Sequence, residues 1–252
     1  MPAEIEQNDI EEVVEVVKSP KPKNKSKDGF NLGKLEDFYE DNKKAINYGG
    51  GALLAIIAIF SYYKLSYLPD LEKEANNEFF YAQNYFEKDS FNLALNGGIL
   101  VPSSIGPKTM IGLKEIADTY SSTKAGNLAN FYAGISLLRT GKFEEAIEYL
   151  EAFDGTDEII APLAIGAIGD ANLELNKVDE AIKYYLNASE KSSNTFTTPI
   201  FLKKAALAYE LNKNYTDALA LYERLKNEYA KSKEAREIEK YISRVKVLGN
   251  ID

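Results

Sequence analysis

The segment TGKFEEAIEYL at 140–150 returns in altered form as NKVDEAIKYYL at 176–186 and as LNKNYTDALALY at 211–222. The three align without gaps on an alanine that recurs after 35 and then 37 residues, namely Ala146, Ala181 and Ala218. A regular period of this length predicts an array of helical hairpins, in which each hairpin buries its apolar face only by stacking on its neighbours.

A small residue also precedes each of these alanines by about twelve positions, in a stretch with helical periodicity: Gly134, Gly169 and Ala206. Two antiparallel helices approach closely only where their side chains are small. We therefore expect Gly134 to lie opposite Ala146, and the two later pairs to repeat this packing. Enlarging one member would overpack the contact by about 1 to 3 kcal/mol.

An apolar residue opens each second helix, and a large one follows each aligned alanine by four positions: Phe143, Val178 and Tyr215, then Leu150, Tyr185 and Tyr222. Together with the small residues, this pattern over 127–234 resembles the tetratricopeptide repeat. The resemblance implies an all-α solenoid with repeats at 127–160, 162–196 and 199–234.

Other elements are predicted on either side of these repeats. A degenerate repeat spans 71–98, since Ala82, Phe91 and Ala94 keep the register until the glycines at 97 and 98 end its second helix. An insert at 99–126 then holds a loop and a helix around 110–120. An amphipathic stretch over 232–248 reads as the helix that caps the solenoid.

Nineteen uncharged residues from Ala45 to Tyr63 interrupt this charge-rich chain. As a helix they would extend roughly 28 Å at about 1.5 Å per residue, close to the hydrocarbon thickness of a bilayer. A cleaved signal and a buried core helix are the alternatives, but the long acidic leader and the glycines at 49–51 favour neither. The sequence predicts a juxtamembrane and transmembrane helix over 35–67, with the span at about 45–63.

Lysines near the span predict its orientation. Five lie within twenty residues before the span and two lie within twenty after it. The positive-inside rule therefore predicts an inner (cytoplasmic) membrane protein with a cytoplasmic N-terminus and a periplasmic repeat domain at 71–252. The tail at 1–34 is predicted to be disordered, and a short docking helix over 10–17 stays open against a solvated tail.

Composition excludes much chemistry. The chain has no cysteine and no histidine, which removes thiolates, imidazole bases and the usual zinc sites. Its net charge of -9 argues against nucleic acid as a partner. Paired carboxylates such as Glu144 and Glu145 fit exposed helix faces, so we predict no catalytic activity, no metal and no cofactor.

A repeat solenoid binds partners through a concave surface lined by its first helices. Projecting these helices gives a mostly apolar candidate surface for polypeptide partners: Leu128, Phe131, Ile135, Leu163, Asp170, Lys203 and Glu210. The alternative is that Phe131 and Ile135 are buried under the insert helix.

The whole plan, from the tail through the span ending SYYK to the repeats ending AREIEKYI, is similar to the YfgM-like family of ancillary SecYEG translocon subunits. This resemblance implies SecYEG and periplasmic chaperones as partners, and a role in handing over emerging envelope proteins. A structural adaptor of an outer-envelope or secretion complex, and a stress regulator acting through its cytosolic tail, remain alternatives. An enzyme is the least supported class.

Overall fold

A computed structural model of the chain describes residues 32–252, so the predicted disordered tail and its docking helix lie outside the described residues, save for the last positions of the tail. The chain divides into two compact units between Ile59 and Phe60. Helix α1 (Leu32–Tyr62) includes nearly all of the apolar run. The helical stretch Glu36–Glu87 contains a window of mean hydropathy 1.5, no part of which is buried, and by length and composition this stretch is a candidate membrane span.

The second unit begins with a π-helical turn at Tyr63–Tyr67 and continues as a series of helices interrupted by one β-hairpin. Its elements are α2 (Leu68–Glu87), α3 (Phe91–Asn96), β1 (Gly97–Val101), β2 (Lys108–Ile111), α4 (Leu113–Thr119), α5 (Lys124–Arg139), α6 (Phe143–Ala152), α7 (Ile160–Glu174), α8 (Val178–Lys191), α9 (Thr197–Leu211), α10 (Tyr215–Glu228) and α11 (Ile238–Gly249). From α5 to α11, each helix packs against the next one along the chain. This succession of neighbours is a helical solenoid.

One turn geometry joins the two helices of every hairpin. The turn residue has a positive φ of 55°, 77°, 58° and 59° at Asp89, Gly141, Asn176 and Lys213. In each case the next residue donates its N–H across the turn to the carbonyl five positions earlier, at 2.9 Å. Glycine and asparagine adopt this left-handed conformation most easily. The aspartate and lysine show that α2 with α3, and α9 with α10, form the same turn despite less favourable residues.

The first helices α7 and α9 also begin alike. Asp157 Oδ1 accepts hydrogen bonds from two N–H groups at the start of α7, at 2.7 and 2.8 Å, and these bonds lower the pKa of its carboxyl group. Asn194 Oδ1 does the same before α9, at 2.8 and 2.7 Å. Pro162 and Pro199 follow in the first turn, where a missing N–H leaves no helical bond unmade.

The core is divided among the stacked helices. The large residue on each second helix is buried against the next repeat: Leu150 meets Ala164 and Ile168, Tyr185 meets Phe201, and Tyr222 meets Val245. Each interface therefore joins two repeats and leaves neither able to bury its face alone. The predicted all-α solenoid is confirmed.

The insert differs from its prediction as a loop followed by a helix around 110–120. Strands β1 and β2 form an antiparallel hairpin, paired at Leu100 with Thr109 and interrupted by an irregularity towards Gly97. Val101 and Met110 are buried, and Lys108 forms an ion pair with Glu78 of α2. Burial of these two apolar side chains and the ion pair hold the hairpin against the solenoid, so the helix begins only at Leu113.

Two helix boundaries are also corrected. Helix α5 starts at Lys124 instead of 127, because the Thr123 hydroxyl accepts a hydrogen bond from the Gly126 N–H at 2.9 Å and caps it. The capping helix starts at Ile238 instead of 232, because Glu237 adopts a left-handed conformation with φ 59°. The residues before it form turns that bring α11 back onto α10.

Candidate protein-binding groove

A groove of about 410 Å³ runs along the first helices of successive repeats. Its walls come from α2, α5, α7 and α9, and no residue of the insert lines it. The lining is largely aromatic and aliphatic: Phe86, Phe131, Tyr132, Ile135, Leu138, Arg139, Leu163, Ala167, Asp170, Ile200, Phe201 and Lys204. Large apolar side chains here are only half-buried, so the groove offers contact area that the fold itself does not use.

Aromatic packing fixes the wall at the α2 and α5 end. The Tyr132 ring meets Phe86 edge to face, with centroids 4.7 Å apart, and Phe131 lies 5.6 Å from Phe153. Edge-to-face pairs of this kind restrict ring rotation and add to the stability gained by burial. The wall is therefore rigid before any partner arrives.

Small residues on α7 form the centre of the groove. Gly166 has no side chain, and a Cβ there would overlap the buried ring of Phe201. Ala167 lies next to it and lines the groove directly. The close approach of α7 and α9 thus depends on Gly166, a residue that the repeat alignment did not single out.

A charged cluster lies at one side of the groove. Lys204 Nζ contacts both carboxylate oxygens of Asp170, at 2.6 and 2.7 Å, and the Tyr185 hydroxyl donates to Asp170 at 2.7 Å. Burial, followed by the charge of Asp170 and this hydrogen bond, raises the pKa of Tyr185 above its ordinary value. The cluster ties three successive helices, α7, α8 and α9, to one another.

Four of the predicted surface residues meet in this groove: Phe131, Ile135, Leu163 and Asp170. The insert helix does not cover Phe131 or Ile135, which both line the open groove. Arg139 and Lys204 were missed by the helical projection. Lys204 sits one residue after the predicted Lys203, and one residue is a rotation of about 100° on a helix.

The other three predicted residues lie elsewhere. Leu128 packs against the core formed by α2 to α6. Lys203 Nζ lies 4.7 Å from the centre of the Tyr241 ring and points to the capping helix. Glu210 accepts a hydrogen bond from Tyr222 at 2.5 Å and pairs with Arg244 at 2.6 Å. It borders a separate cavity of about 450 Å³ formed with Leu207, Leu211 and Arg244.

The residues predicted to allow close helix approach sit at tight contacts. A Cβ on Gly134 would lie 2.5 Å from Leu150 Cγ and 3.2 Å from the Ala146 carbonyl oxygen. A Cβ on Gly169 would lie 2.7 Å from the Tyr185 ring and 3.3 Å from the Ala181 carbonyl oxygen. The third repeat has alanines, Ala206 and Ala218, and both are fully buried.

Within residues 32–252, no group of three or more acidic side chains is placed to bind a metal ion. The cluster of Asp170, Tyr185 and Lys204 is satisfied internally. The groove therefore offers shape, apolar area and a few charges, which are the elements of polypeptide recognition.

Comparison with known proteins agrees with this geometry. A family model described as tetratricopeptide repeat matches residues 166–233. Among solved structures, the chain is similar to the crystal structure of nearly identical TPR-like repeats from Podosopora anserina, assigned to a kinesin light chain, with a TM-score of 0.51 and 13% identity. That match covers 71% of this chain and 88% of the other. No curated protein matches the sequence. The part of the chain that follows the apolar helix is therefore a solenoid of tetratricopeptide-type repeats.

Proposed function

We propose that this chain is a membrane-anchored interaction scaffold whose repeats bind a polypeptide segment in the groove lined by α5, α7 and α9. The observation that carries the proposal is the exposed apolar wall formed by Phe131, Ile135 and Leu163 on successive first helices. A wall of this kind suits the alternating or helical side chains of a polypeptide better than a small polar ligand.

The anchor in this proposal is the apolar run at 45–63, with the N-terminus in the cytoplasm and the repeats in the periplasm. The five lysines before the run, against two after it, support this orientation. Anchoring would hold the groove close to the membrane surface, where polypeptides emerge from a translocation channel.

The more specific role is assistance to translocon-associated chaperone handover, and it rests on the family resemblance stated for the sequence. Its test is extraction of the tagged chain in mild detergent, followed by mass spectrometry of the proteins that stay bound. Translocon subunits and periplasmic chaperones are the expected result. A list rich in outer-membrane components would instead favour the structural-adaptor role and overturn the translocon role.

Photocrosslinking tests the groove itself. A benzoylphenylalanine placed at Ile135 of the full-length chain should form adducts with other polypeptides in cells, whereas the same group at the exposed Glu223 of α10 should not. Adding Leu163→Asp should abolish the Ile135 adducts, because it places a charge in the apolar wall. Thermal melting must show that this variant still folds. Adducts that persist in a folded Leu163→Asp protein would refute binding in the groove.

A further inference from the structure

The charges that line the groove are unequally matched. Asp170 and Lys204 neutralise each other through two contacts of 2.6 and 2.7 Å, and Tyr185 occupies a further site on the carboxylate. This pair has little need of a charge from a ligand. Arg139 is the remaining charged residue of the lining.

Arg139 is the last residue of α5, and its side chain is exposed at the edge of the groove. Its guanidinium carbon lies 5.5 Å from the centre of the Phe91 ring, which supports one face of the group. In the part of the chain that the structure describes, no carboxylate forms an ion pair with it, although Arg224 and Arg244 both have such partners. Stacking on a ring leaves the N–H donors at the edge of a guanidinium free to bind a carboxylate.

A cation at the end of a helix also complements the helix dipole, and this effect alone would account for an arginine in the last turn of α5. That role would give a bound polypeptide no preference for acidic residues. The two explanations therefore differ in an observable way.

We propose that Arg139 selects the partner, so that the groove prefers a polypeptide whose apolar side chains are accompanied by a carboxylate placed against this arginine. The inference rests on the proposed function and adds the chemistry of the ligand to it. The carboxylate is that of an acidic side chain or that of a chain terminus. The excess of acidic over basic residues in the protein, 39 against 30, makes a cation left open beside an apolar groove a point of charge complementarity.

Three synthetic peptides of one apolar sequence, rich in leucine and phenylalanine, provide the probes. One carries a single glutamate and an amidated end, the second replaces that glutamate with glutamine, and the third is the glutamine peptide with a free terminal carboxylate. Binding to the full-length protein in detergent micelles is followed by fluorescence anisotropy. We expect the glutamate peptide to bind about fivefold more tightly than the amidated glutamine peptide, as for a well-formed exposed ion pair. Tighter binding of the third peptide instead would assign the carboxylate to a chain terminus.

Arg139→Gln should remove this preference without weakening the amidated glutamine peptide. Arg236→Gln is the matched control, since Arg236 is equally exposed but lies outside the groove. If Arg139→Gln keeps the preference, or if no peptide carboxylate improves binding to the unaltered protein, the inference is wrong. Leu163→Asp separates this failure from failure of the groove, because peptides that bind this folded variant as tightly as before would overturn the proposed function too.

Discussion

Replacing Gly166 with alanine tests how closely the repeats must approach. The added methyl group would overlap Cε1 and Cζ of Phe201, a ring that is only 2% exposed. Non-bonded carbon atoms rest about 3.5 to 4.0 Å apart, so the ring or the helix must move. Phe201 is held between α7, α8 and its own helix and has no free space into which it can rotate.

The expected loss follows from two opposing effects. Overpacking a filled core costs about 1 to 3 kcal/mol, and the overlap with a rigid ring favours the upper end of this range. Alanine recovers about 1 kcal/mol of helix propensity relative to glycine. The net loss in the free energy of unfolding is therefore about 2 kcal/mol. For a domain of this size, that corresponds to a decrease of roughly 4 to 8 °C in melting temperature.

Thermal unfolding of the full-length protein in detergent, followed by circular dichroism at 222 nm, measures this loss. Gly50→Ala is the matched control, because nothing lies within 4 Å of a Cβ at that helical position. The second substitution Phe201→Leu should restore part of the stability of Gly166→Ala, since a smaller side chain relieves the overlap. A Gly166→Ala protein as stable as the parent, or a double variant that merely adds the two losses, would refute the close-contact argument.

Three further predictions concern tyrosines and topology. Tyr222→Phe removes a hydroxyl that donates to Glu210 at 2.5 Å, and urea unfolding should show a loss of about 1 kcal/mol; an unchanged midpoint would contradict this. Burial, aided by a hydrogen bond to Glu74, raises the pKa of Tyr120 from 10.0 to about 12, so the folded state favours the protonated phenol. The stability that this contributes is complete below pH 10 and is lost as pH rises towards 12, so the melting temperature should fall over that range, and less steeply in Tyr120→Phe. Because the chain has no cysteine, Ser104→Cys should react with a membrane-impermeant maleimide in intact spheroplasts and Ser19→Cys should not; the reverse pattern would overturn the proposed orientation.

The repeats were predictable because their packing depends on a few residues at fixed spacing. Closely packed antiparallel helices require small side chains where they meet, and Gly134, Gly169 and Ala206 meet this requirement in the sequence itself. The following large residues, such as Leu150, are buried because only the next repeat can cover them. A periodic cause leaves a periodic signal, and such a signal survives variation of the other positions.

The hairpin in the insert left no comparable signal. Its strands have five and four residues, and the connecting residues contain prolines, serines and a glycine that are typical of a loop. What stabilises it is tertiary: Lys108 pairs with Glu78, and the Tyr81 hydroxyl donates to the Pro102 carbonyl. Contacts between residues 21 and 30 positions apart cannot be read from a local pattern.

The groove was predicted only in part for a similar reason. The helical period assigns a residue to a face, but an error of one position changes that face by about 100°, as between Lys203 and Lys204. Lys204 faces Asp170 because Gly166 lets Phe201 seat between α7 and α9, and this seating sets the rotation of α9. No single-helix projection contains that information.

The same dependence links stability to binding. Phe201 belongs both to the core between two repeats and to the wall of the groove. The pair formed by Asp170 and Lys204 joins adjacent first helices over 34 residues, and Glu210 with Arg244 joins the next first helix to the capping helix over the same separation. Contacts that hold neighbouring repeats in register therefore also fix the width of the groove. A partner that binds there meets a preformed surface and loses little free energy to ordering it, so a substitution that changes the spacing of repeats should weaken binding even when no residue of the groove is altered.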